Sequence, residues 1–266
     1  MINAGMLDSL PIWFVFLLTA AMIVLSVEAG YRIGGFRARK SAQEREAPID
    51  SMVGSTLGLL AFMLAFTFGM ATSRYDARKQ FVVDESVAIR TADLRAQLVK
   101  DPQRAGMRAM LREYVDVRLQ GALHTDKIAY AVKRSEELHL GLWSQLTSIG
   151  PDVPVPDRAA LAAAVVDVIN LHSKRVNAVT QNRIHHTIWL ALYTLAVLAM
   201  GMVGYRAGIS GRRSAIAIMV VAFAFSAVLV LITDLDRPQQ GLVNVSQQTM
   251  IDLQNKLRLT EPPDPH

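Results

Sequence analysis

The second of four long apolar stretches carries the residues whose spacing most suggests a function. Gly54, Gly58, Phe62, Phe66 and Met70 recur every four residues, and so do Leu57, Ala61, Ala65, Gly69 and Ser73. Positions four apart share one face of a helix. Small residues at that spacing let helices approach closely in lipid. In the first stripe the two glycines give way to two phenylalanines one turn apart. In a ring of identical helices, Phe62 and Phe66 would form two apolar collars, and apolar constrictions gate by dewetting. The plainer alternative has both rings facing lipid or other helices. At the foot of the stretch stand Arg74, Tyr75, Asp76, Arg78 and Lys79. They read either as an interfacial anchor with solvated i,i+4 pairs or as a charged vestibule or subunit contact.

Where the fourth stretch ends, the chain reads Asp234-Leu-Asp236-Arg237-Pro238. Carboxylates at a helix C-terminus oppose the macrodipole, so they need partners. A hard cation such as calcium takes carboxylate oxygens, but two carboxylates define no site. A salt bridge to Arg237 or to an arginine of the long insert is the expected partner. His172, His185 and His186 lie nearest the third stretch. Adjacent histidines do not share a helical face, which argues against zinc, and no metal or cofactor is expected. No Gly-rich phosphate loop, H-E-x-x-H or G-x-S-x-G is present. None of the apolar stretches carries an ionisable group at its centre, where a proton relay would need one. The chain does not read as an enzyme.

Four elements must hold these residues. Of 266 residues, 52% are hydrophobic and only 19% charged, and mean hydropathy is +0.26. The surplus is concentrated in residues 9–27, 51–73, 187–205 and 214–233. Each is near the roughly 20 residues needed to cross a bilayer. The first lacks a basic n-region and is longer than a signal-peptide core, so it reads as an anchor. The expected fold is an all-α membrane protein with four transmembrane helices and a long helical insert between the second and third. The expected divisions are residues 1–73 (two spans and a basic loop), 74–186 (a water-exposed insert), 187–233 (two spans) and 234–266 (a tail). Within the insert, clustered breakers suggest helices near 74–100, 103–120, 126–148 and 157–186. Apolar stripes such as Met107, Leu111, Tyr114, Val115 and Ala164, Val168, Leu171 have helical spacing. The second span runs into the insert without a breaker, and the insert is expected to run likewise into the third span. The tail should hold a short amphipathic helix near 246–259, with Met250, Leu253 and Leu257 on one face.

The net charge of +5 fits residues flanking membrane spans. No basic run with interleaved aromatics points to nucleic acid. Both short loops, residues 28–50 and 206–213, are rich in arginine. The positive-inside rule therefore places them in the cytoplasm, with the insert outside a multi-pass inner (plasma) membrane protein. The absence of cysteine excludes disulfides but selects no compartment.

Two segments together resemble bestrophins. Gly58-Leu-Leu-Ala-Phe62-Met-Leu-Ala-Phe66 with Ser73-Arg-Tyr-Asp-Ala-Arg-Lys79 is similar to their pore helix. Asp234-Leu-Asp-Arg-Pro238, with Gly241 and Val245-Ser246, is similar to the acidic segment after their last span. The whole plan resembles the bacterial bestrophin-like family, whose function is not established. The resemblance implies a homo-oligomer in the lipid bilayer, a pentamer by likeness to bestrophins, passing chloride or other small anions. Gly58, Phe62 and Phe66 then fall at the neck. It also implies a cytoplasmic helical region, opposite to the charge count. In this chain a single Tyr75 followed by Asp76 replaces a double aromatic, and Gly58 replaces a bulky neck residue. The competing expectation is a non-conducting scaffold or sensor whose insert binds a partner.

The charge count predicts that a reporter requiring an extracytoplasmic location is active when fused within residues 126–148 or at the C-terminus. Activity of a cytoplasm-only reporter at those sites would reverse the placement.

Overall fold

The computed structural model describes residues 10–40, 46–180, 183–211, 214–237 and 241–259. Among them every regular element is helical: α1 (Ile12–Lys40), α2 (Glu46–Ala96), α3 (Gln103–Leu123), α4 (Ile128–Thr147), α5 (Val155–Thr180), α6 (His186–Ser210), α7 (Ala215–Asp236) and α8 (Gln248–Leu259). A single 3₁₀ turn, Thr125–Lys127, precedes α4. Among the described residues four helices are long and apolar enough to cross a membrane: the stretches Ile12–Arg39, Ile49–Ala96, His186–Ser210 and Ala215–Asp236.

The chain divides into two compact units. The first comprises Met1–Tyr75 and Arg183–Val243; the second comprises Asp76–Asn182 and Asn244–His266. Helix α2 contributes to both. It runs for 51 residues because its one proline, Pro48, lies in the first turn, where no intrahelical N–H is lost. The unbroken passage out of the second span is as the sequence suggests.

In the first unit, α1 packs most extensively on α6. Glycines set the spacing. A methyl group at Gly30 would stand 2.0 Å from the Gly201 carbonyl oxygen, and one at Gly204 would stand 1.9 Å from that of Val27. Gly34 and Gly208 meet backbone oxygens of the facing helix as closely. The two backbones touch, which only glycine permits, and this gives two membrane helices a wide contact without bulky side chains. Ser26 Oγ donates to the Val197 carbonyl oxygen at 2.5 Å across the same seam. Ile23, Val27, Leu60, Leu64, Leu192, Met200, Leu229 and Ile232 fill the interior of this unit. Gly211, with φ +65°, caps α6 in the left-handed conformation that leaves other residues strained.

The second unit has its own core. Ile89, Ala92 and Ala96 of α2 meet Met107, Leu111, Tyr114 and Val115 of α3, Leu138 and Leu142 of α4, and Leu161, Ala164 and Val168 of α5. Met250, Leu253 and Leu257 of α8 close it, on the face their spacing indicates. Gly121 lies inside α3 and does not end it: a methyl group there would lie 2.6 Å from Ala131 Cβ.

One expectation fails. The insert does not run into the third span as one helix. Helix α5 ends at Thr180 and α6 begins at His186. No Gly or Pro marks the break. Its signature is side-chain capping: Asp236 Oδ1 accepts the Ile184 N–H at 3.0 Å, and His185 Nδ1 accepts the Thr187 N–H as the N-cap of α6.

Gly204→Leu should disrupt α1–α6 docking and cost about 3 kcal/mol or more, the upper range for overpacking. Gly58→Ala, where an added Cβ meets nothing within 4 Å, should leave the melting temperature of the detergent-solubilised protein unchanged.

Candidate functional site

Within the first unit α2 uses only one face to pack. Leu60, Leu64, Thr67 and Ala71 are buried. The patterned stripes lie off that face. Phe62 is 66% exposed and Phe66 58%, and Gly54, Gly58 and Gly69 have open space where a Cβ would be. Ala61, Ala65 and Ser73 are exposed beside them. Among the described residues, no other helix covers the Phe stripe or most of the small-residue stripe.

The foot of the span and the exit motif come together. Arg74 Nη1 lies 3.7 Å from Asp236 Oδ1, so an arginine at the start of the expected insert does bind an exit carboxylate. Tyr75 packs partly buried against the core of the first unit. In the second unit Asp76 is exposed but Arg78 is buried, so Arg78 is not a member of a solvated surface pair. Asp234 takes a different partner. Its carboxylate accepts the N–H groups of Leu242 at 2.9 Å and Val243 at 3.0 Å, folding the chain back beneath α7. Gly241 makes this possible: a methyl group there would lie 2.2 Å from Asp234 Oδ1. Arg237, buried, is the C-cap of α7. Pro238 lies outside the described residues. Both carboxylates are thus committed to backbone amides and an arginine. Among the described residues no three His, Asp or Glu side chains converge to hold a metal ion.

The second unit contains a polar hub that sequence spacing does not indicate. Glu85, twelve residues past Ser73 on α2, is fully buried. Arg175 Nη1 binds its Oε2, Arg118 Nε lies 3.1 Å from its Oε1, and Tyr114 Oη donates to Oε1 at 2.5 Å. Burial alone would raise the Glu85 pKa, but Arg118, Arg175 and the Tyr114 hydroxyl outweigh it and hold it at about 2. Burial and the Glu85 charge push Tyr114 well above its ordinary value, so it stays a donor. His172 Nδ1 lies 3.3 Å from Tyr114 Oη, and His139 meets His172 edge to face with ring centroids 4.8 Å apart. Of this group His172 stands out in the sequence as a histidine near the third span, and Tyr114 as a member of an apolar stripe. His185 and His186 belong to the other unit and do not join it.

The family model of the bestrophin-like domain matches residues 20–250. Among solved structures, the fold is similar to that of a bacterial bestrophin homologue from Klebsiella pneumoniae carrying an aspartate-to-alanine substitution. The two share 12% identity and a TM-score of 0.68, covering 93% of this chain and 97% of that one. A membrane protein carrying a glycine-to-alanine substitution is similar at 12% identity and a TM-score of 0.67, covering 96% of this chain and 99% of that one. At that identity the likeness is one of fold. No curated protein matches the sequence.

Glu85→Gln removes the one anion that two buried arginines share. Breaking a buried ion pair on one side costs about 3–5 kcal/mol, so unfolding of the second unit, followed by amide exchange of α3 and α5, should move to markedly lower denaturant. An unchanged midpoint would show that the arginines find other partners.

Proposed function

The chain belongs to the bestrophin-like family, and on that premise we propose that it assembles as a homo-oligomer around α2 and passes small anions such as chloride between apolar collars of Phe62 and Phe66. Bestrophins are anion channels. The observation that carries the reading is the bare face of α2. Two aromatic rings one turn apart are exposed, beside a strip of Ala61, Ala65 and Gly69 with room for a neighbouring backbone.

The physics divides the work between the two stripes. Lipid chains are as apolar as phenylalanine, so burying the rings gives little drive for association in a membrane. Close backbone packing through small residues does give it. Ala61, Ala65 and Gly69 therefore form the subunit contact, and Phe62 and Phe66 turn toward the axis. Such a collar holds water weakly and opens or closes to ions by small changes in radius. Gly58 leaves a wider step next to the rings. The pair Arg74–Asp236 ties α2 at the foot of its span to α7 within the first unit, holding the collar in register. By likeness to bestrophins the ring has five copies. We infer an inner (plasma) membrane location, with residues 74–186 a water-exposed insert between the second and third spans. The charge of the short loops puts that insert on the outer side. The likeness to bestrophins implies the opposite, cytoplasmic, side, so the outer placement weighs against the channel reading.

Reconstituted in liposomes, the wild-type protein should support chloride flux, and Phe62→Ala/Phe66→Ala should raise the initial rate several-fold by widening the neck. Native mass determination in detergent should give five copies. A monomer or dimer with no flux would remove the axis and favour a scaffold or sensor whose insert binds a partner.

A further inference from the structure

The channel reading makes no use of the hub in the second unit, and its construction is unusual for a purely structural ion pair. Two arginines, Arg118 and Arg175, share the single carboxylate of Glu85, so the buried group already carries an excess positive charge. Two imidazoles are packed into it. His139 reaches in from α4 and His172 from α5, and both are almost fully buried. The groups facing them are Glu85 from α2, Tyr114 and Arg118 from α3, and Arg175 from α5. The Tyr114 hydroxyl spends its proton on Glu85, so His172 Nδ1 is the donor toward the Tyr114 oxygen. That fixes the neutral tautomer and leaves Nε2 as a bare lone pair. The Nε2 atoms of His139 and His172 are both buried without a hydrogen-bond partner among the described residues. A proton arriving at either Nε2 would add a cation beside two arginines and an N–H with no acceptor, and both changes are costly in a buried site.

The hub is also tied to the tail. Arg175 donates from Nη2 to Gln247 Oε1 at 2.8 Å. Gln247 directly precedes α8, and its carbonyl oxygen accepts the first turn's N–H groups from Met250 and Ile251. Beyond that tie, α8 is held by Met250, Leu253 and Leu257 on the core and by Gln254 and Arg258 on Asp116.

We propose that this hub is an acid-sensitive latch: a proton taken up at Nε2 of His139 or His172 breaks the Arg175–Gln247 tie and releases α8 from the core of its unit. The latch does not depend on conduction, and its test does not measure it. Burial, with Arg118 as a further cause in both, depresses His139 to about 4 and His172 to about 3. The sign follows for an opening that brings both imidazoles into water: the open form then binds protons near pH 6.5 and the closed form does not, so the closed form loses stability as pH falls from about 6.5 toward 4. At pH 5, full solvation of an imidazole in the open form corresponds to a shift of the open-to-closed ratio of roughly 30-fold for each histidine, relative to pH 7.5, and this is the upper limit.

The experiment is amide exchange on the full chain in detergent, corrected for intrinsic rates, from pH 7.5 to 5.0. Protection of residues 250–257 should fall by at least tenfold in the wild type. His139→Gln/His172→Gln should keep its pH 7.5 protection at pH 5.0, while His185→Gln/His186→Gln should follow the wild type. Exchange of the imidazole C2 protons in the same wild-type samples reports both histidines without relying on a variant. It should show them neutral while α8 is closed and protonated as it opens. Flat protection in the wild type, an unchanged profile in the hub variant, or opening of α8 with both imidazoles still neutral would each overturn the latch.

Discussion

A single helix, α2, has to satisfy two separate cores and still leave one of its faces bare. It buries Leu60, Leu64 and Ala71 in the first unit and Ile89, Ala92 and Ala96 in the second. Between those commitments the Phe62–Phe66 stripe is more than half exposed among the described residues. In water, exposed rings of that size would be a liability of about 1.5–3 kcal/mol each. In lipid the same exposure costs almost nothing. A bare face of this kind is well tolerated where α2 sits in a membrane, with lipid or with another helix against it. The small residues beside the rings are the positions at which another copy could approach.

The rest of the first unit is built on close helix contact. Helices α1 and α6 are joined backbone to backbone through Gly30, Gly34, Gly204 and Gly208, and α2 shares the core of the unit with them through Leu60, Leu64 and Ala71. The two exit carboxylates then close the open ends. Asp234 and Asp236 oppose the dipole of α7, and the opposition is resolved by partners outside the helix. Asp234 collects two amides of the returning chain, and Asp236 collects the Ile184 amide and Arg74. The chemistry that might have suggested a cation is spent on backbone.

Much of this was legible in the sequence, for reasons tied to range. Period and length are local, so the four apolar helices, the α3 and α5 stripes and the apolar face of α8 could be read directly. The Asp236–Arg74 pair was half legible, because an acidic helix end demands a cation without saying which. The α1–α6 seam was available in Gly30-x₃-Gly34 and Gly204-x₃-Gly208, the spacing already noted on α2. The break between α5 and α6 was misread because its signal is a carboxylate 52 residues away, with no Gly or Pro nearby. The convergence of the hub is not legible for the same reason, although His172 and Tyr114 stand out singly. Glu85, Tyr114, His139, His172 and Arg175 come from four helices, and only folding makes them neighbours.

The sharpest test uses the absence of cysteine. Phe66→Cys places one thiol on the bare face of α2, and Phe223→Cys places one on the exposed face of α7. A pore along α2 predicts that a charged, membrane-impermeant thiol reagent abolishes chloride flux through liposomes bearing Phe66→Cys and leaves Phe223→Cys unaffected. Flux in the Phe66→Cys protein that is indifferent to the reagent would contradict an anion path along this face.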